Sequence, residues 1–212
     1  MQVSEYTSYK SIVESIEDLN WKELSAFDLT NVAVIYYYFS IQFRENLMLA
    51  RSLHPDDEKL KELETGECDT SNLSPWPNVA AADERMNHDE FMRRALELSP
   101  IDADRRYRLD RIGQSYLRSV RAMGPQARAQ SIASYEDGGL ERVFRAILTC
   151  QDWNSDALRA FRHFLVEHIK FDTDPESGHG ALSRHLRPTE HVVPLWESFR
   201  HILVEAAPAL LV

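Results

Sequence analysis

The chain is poor in glycine, with seven in 212 residues, and in cysteine, with two. So few glycines argue against a β-sandwich or barrel, which needs a turn signal every 8–12 residues or so. Cys68 and Cys150 stand far apart with no Cys-x-x-Cys pair, which leaves neither a disulfide framework nor a thiolate zinc site. Basic residues are in the minority, 24 Lys and Arg against 34 Asp and Glu, for a formal charge of −10. The basic surface of a nucleic-acid binder is therefore missing, and no nucleic acid is expected as a partner. No run approaches the ~20 apolar residues of a membrane span, and Met1-Gln2-Val3-Ser4-Glu5 lacks the order of a signal peptide. The expectation is a cytoplasmic protein without a membrane partner, long enough at 212 residues for one well-filled domain over 1–212.

What is present is helical periodicity. Apolar residues recur every three to four positions, and prolines 55, 75, 77, 100, 125, 175, 188 and 194 punctuate the pattern where helices start or stop. Helices are predicted near 7–18, 28–51, 56–64, 78–98, 102–122, 126–149, 154–173 and 189–206, giving an all-α bundle. The segment from Val32 to Ala50 is apolar on nearly every side and reads as the central rod, whereas residues 65–78 read as a long loop around Trp76.

Ionisable residues interrupt three apolar stripes. Glu84 and His88 fall on the face of Ala81, Phe91, Ala95 and Leu98. Glu136 extends the Leu140, Val143, Phe144, Ile147 stripe back by one turn, next to Gly138 and Gly139, a pair that suggests a close approach or a local break. His168 and Asp172 continue the stripe of Leu158, Phe161 and Leu165. One such residue alone reads as a core histidine or a paired carboxylate; five on three helices are more easily satisfied together, by a shared metal ion or metal pair. An imidazole and carboxylate set suits iron or manganese.

His168-x-x-x-Asp172 followed by His179, Glu136 on the preceding helix and the earlier Glu84/His88 pair resemble the heme-oxygenase-like diiron oxidases and oxygenases of the TenA and pyrroloquinoline-quinone-synthase superfamily. The aromatic run Tyr36-Tyr37-Tyr38-Phe39 is similar to the first core helix of that family. The resemblance implies a seven-helix heme-oxygenase-like bundle holding two Fe(II) ions on Glu84, His88, Glu136, His168, Asp172 and His179. It also implies O2 as co-substrate, oxidation of a small molecule such as an amino acid or fatty acid, and admits a homodimer. Two departures leave alternatives: the seven-residue interval from Asp172 to His179 puts Asp174 and Glu176 forward in place of His179, and Glu64, Glu67 or Glu45 could stand in for Glu84. A metal-free TenA-like hydrolase or cofactor-biosynthesis enzyme, and a non-catalytic interaction protein, are the competing classes.

Overall fold

In the computed structural model, residues 8–71, 73, 75–172 and 179–212 are described, the side chains of residues 171, 172 and 179 excepted. All regular structure among them is helical. Ser8 caps α1 (Tyr9–Glu17) by accepting from the Ser11 amide, and Ser25 caps α2 (Ala26–Leu53) by accepting from Asp28. Asp57 caps α3 (Glu58–Cys68) through the amides of Lys59 and Leu60, satisfying two of the donors that a helix start leaves bare. There follow α4 (His88–Glu97), α5 (Ala103–Arg121) with Asp102 as its cap, α6 (Pro125–Ser134) and α7 (Leu140–Ile147). The chain closes with α8 (Asp156–Asp172), α9 (His179–Ser183) and α10 (Val193–Ala206).

The predicted central rod is α2, which buries side chains on every face and packs against α3, α4, α5, α6, α8 and α10. Its Tyr36 ring lies 5.4–5.6 Å from those of Phe39, Phe144, Phe161 and Phe164, tying three helices into one apolar core. No helix among the described residues is long and apolar enough to cross a membrane.

Three predicted helices differ from the structure, two of them for a local reason. The helix expected over 126–149 is interrupted by a π turn, Tyr135–Gly139, where Gly138 takes φ +84°. Gly139 follows because a Cβ there would lie 2.3 Å from the Ser134 carbonyl oxygen and 2.7 Å from the Trp196 ring. The helix expected over 78–98 begins only at His88. Asn78 and Asp83 sit at φ +61° and +62°, and isolated bridges join Trp76 to Ala80 and Thr70 to Met86, so residues 78–87 are an anchored loop. α3, expected to stop near residue 64, instead runs on to Cys68. The short α9 was not expected at all.

Candidate metal centre

The extra turn of α3 is what builds the site. Leu60, Leu63 and Glu67 are spaced by three and four residues and share its buried face, so Glu67 is carried into the core at 3% exposure. It meets His88, the first residue of α4, and His168, near the end of α8, each 7% exposed. Glu67 Oε2 lies 2.7 Å from His88 Nδ1 and 4.0 Å from His168 Nε2. The two imidazole centroids are 4.4 Å apart, and ligand atoms of all three residues fall within 4.8 Å of one another.

Adjacent ligands on an ion with bonds of ~2.1 Å stand about 3 Å apart, so these atoms close on one ion through displacements of roughly 1 Å. His88 Nε2, on the opposite side of the ring from the Nδ1 that faces Glu67, is buried without a hydrogen-bond partner among the described residues. The walls are apolar. Phe164 stands 5.6 Å from the His88 ring and 4.7 Å from that of His168, and Phe144 edges His168 at 5.5 Å.

Two imidazoles and one carboxylate give an ion a net charge of +1 and leave coordination positions open, the donor set typical of non-heme Fe(II) centres and of some catalytic zinc sites. Thiolate chemistry does not compete. Burial, reinforced by the Glu67 and Glu64 carboxylates, pushes the neighbouring Cys68 thiol up to about 12, and burial raises Cys150 equally.

Of the residues expected from sequence, His88 and His168 are brought together. Glu84 is not. It lies in the loop before α4, where it accepts from the Ala81 amide at 2.9 Å and pairs with Arg94 at 2.8 Å; these hold its carboxyl below the usual range. With no helix across 81–87, its supposed stripe does not exist, and Glu67, weighed beforehand as a substitute, stands with the two histidines. The other substitutes are engaged elsewhere, Glu64 with Arg51 and Glu45 with Arg121 and Arg128.

Glu136 is buried at 8% exposure on the π turn, an element frequent at functional sites, and lies outside the group of three. Asp172 ends α8 one turn beyond His168, and His179 opens α9; their side chains lie outside what is described. The start of α9 does pack on the π turn. Gly180, next to His179, packs so closely on the Glu136 carbonyl oxygen that a Cβ there would approach it to 2.7 Å. Asp174 and Glu176 lie outside the described residues.

Searches against protein-family models, curated proteins and solved structures find no match for this chain.

Proposed function

We propose that this chain is a non-heme iron oxidase or oxygenase built on a heme-oxygenase-like seven-helix bundle, which uses O2 to oxidise a small molecule. The observation that carries the reading is the buried Glu67, His88 and His168 group, drawn from three helices that are separate in sequence. The expected metal complement is two Fe(II) ions, with Glu136, Asp172 and His179 as the candidate ligands of the second. When bound, iron would supply the redox chemistry with O2 that the side chains here lack. The chain's own contribution is positional. Glu67 supplies the negative charge that favours a divalent cation, the imidazoles complete the set without further charge, and Phe91, Phe144, Phe161 and Leu165, all fully buried, keep bulk water out of the core.

A single-metal centre is the second reading, favoured by the fact that Glu136, buried on the π turn, stands outside the group of three. Anaerobic titration with ferrous ion, followed by elemental analysis and oxygen-electrode measurements, separates the two. Two equivalents with O2 uptake support the di-iron proposal, and one equivalent supports the mononuclear centre. No iron above background overturns both.

A further inference from the structure

His88 is held in place by very little of its own helix. It is the first residue of α4, and the N-cap residue Asn87 makes no side-chain bond to the bare amides of the first turn among the described residues. A helix start left in that state frays unless something outside the helix fixes it. The fixing group is on α2. Arg44 reaches across to Asp89, the residue next to His88, with Nε 3.0 Å from Oδ1 and Nη2 2.9 Å from Oδ2, a two-pronged pair in which the Asp89 side chain is only 12% exposed. α2 is rigid at that point, because Phe43 and Leu47 on either side of Arg44 are buried in the core. Glu67 has a weaker counterpart. Arg51, two turns along the same side of α2, meets Glu64, one turn before Glu67, through a single contact at 3.3 Å.

We infer that Arg44 is a positioning residue of the metal centre proposed above, acting through Asp89 to set the place and ring orientation of His88; its effect on metal affinity rests on that reading. Charge and geometry make opposite demands, so the role can be isolated. By Coulomb's law a cation beside the site repels a divalent ion, so removing the Arg44 charge and leaving the Asp89 carboxylate should tighten metal binding. By position, losing the fork frees the first turn of α4 and should weaken it, since outer partners that orient a ligand are worth ~10–100-fold in affinity. A lysine keeps the charge and reaches Asp89 as a point donor, without the planar fork that fixes two oxygens at once, so it removes position alone. Arg121 supplies the matched control. It makes the same two-pronged pair with Glu45, the residue after Arg44 on α2, and ties α5 there with neither partner next in sequence to a donor.

Chelator competition with Co(II), at a temperature well below unfolding, tests this. R44K should bind ~3–10-fold and R44Q ~10-fold or more weaker than the parent, whereas R121K should stay within ~2-fold while losing comparable thermal stability. The metal-free protein gives an independent reading in long-range proton–nitrogen NMR spectra of the imidazoles, with the His88 signals assigned by their loss in H88Q. They should be single and sharp in the parent and R121K, and broadened or doubled in R44K and R44Q. Unchanged affinity in R44K, tighter binding in R44Q, an equal loss in R121K, or His88 signals indifferent to R44K overturns the inference. A parent that takes up no metal overturns the proposed function instead, and the imidazole spectra then decide whether Arg44 places His88.

Discussion

Glu67→Gln is the substitution that most directly separates the site in the structure from the one the sequence suggests. The amide keeps the shape of the side chain and can still accept from His88 Nδ1, now at 2.7 Å, so the metal-free fold should be little disturbed. What is lost is the only negative charge among the three converging donors. Outer partners of metal ligands alone are worth ~10–100-fold in affinity, so loss of a direct anionic ligand should cost at least ~100-fold, about 2.7 kcal/mol. Glu84→Gln is the control. Glu84 is bound to Ala81 and Arg94 in the loop, and its substitution should change metal affinity less than ~2-fold. Competition against a chromophoric chelator, with Co(II) as a redox-silent probe and Fe(II) under anaerobic conditions, reads both. Equal losses in the two variants, or a larger loss in Glu84→Gln, would refute the assignment of Glu67.

His168→Ala should weaken metal binding by ~10-fold or more, whereas His163→Ala, whose ring stacks on Trp76 and meets the Leu73 carbonyl at 2.9 Å, should lower the melting temperature and leave affinity within ~3-fold by the same competition assay. Gly139→Ala should destabilise by about 1–3 kcal/mol in urea unfolding, because the new Cβ meets the Ser134 backbone and the Trp196 ring; Gly124→Ala, whose Cβ would meet nothing within 4 Å, should cost only the poorer N-cap of α6, about 0.5–1 kcal/mol. Hydrogen bonds from Arg93, then Arg94, hold Glu90 down at about 2, below the ~4.3 of an unfolded glutamate. Its stabilisation is thus present above pH ~4.3 and lost as pH falls towards 2, so the melting-temperature gap between the parent and Glu90→Gln should shrink over that interval.

The parts of the fold that were legible in the sequence are those where burial and period coincide. The all-round apolar run of α2 had to be a buried rod, and His168 lies inward because Leu158, Phe161 and Leu165 set the register of α8. Gly138 and Gly139 announced a break, and the π turn is that break. Glu84 misled because Ala81, Glu84, His88 and Phe91 happen to satisfy a helical spacing across a stretch whose backbone is fixed by positive φ at Asn78 and Asp83. A period cannot register a left-handed residue. Glu67 was on a readable stripe with Leu60 and Leu63, but Thr65 and Gly66 looked like the end of the helix, and the core contact that carries α3 past them is tertiary. α9, five residues long, is too short to show a period.

The geometry of the site depends on a feature that no pattern of side chains encodes. Glu67 and His88 are separated by a loop of some twenty residues, a length at which two ligands would ordinarily be held together only weakly. The ends of this loop are closed by backbone pairing. Thr70, three residues after Glu67, and Met86, two before His88, exchange hydrogen bonds at 3.3 and 3.1 Å, and Arg85 binds the Asp69 carbonyl at 3.0 Å. The clamp thus sits directly beside two of the three donors, and under the proposed function it would hold them in place before a metal arrives. Met86→Pro removes the Met86 amide that donates to Thr70 while keeping α4 and its ligand. The lost bond costs about 0.5–1.5 kcal/mol, and if it preorganises the donors that loss should appear as a ~3–10-fold weaker metal affinity, with helicity by circular dichroism unchanged. A Met86→Ala control retains the amide and should bind like the parent. Undiminished affinity in Met86→Pro would show that the helices alone, packed on α2, hold Glu67 and His88 in register.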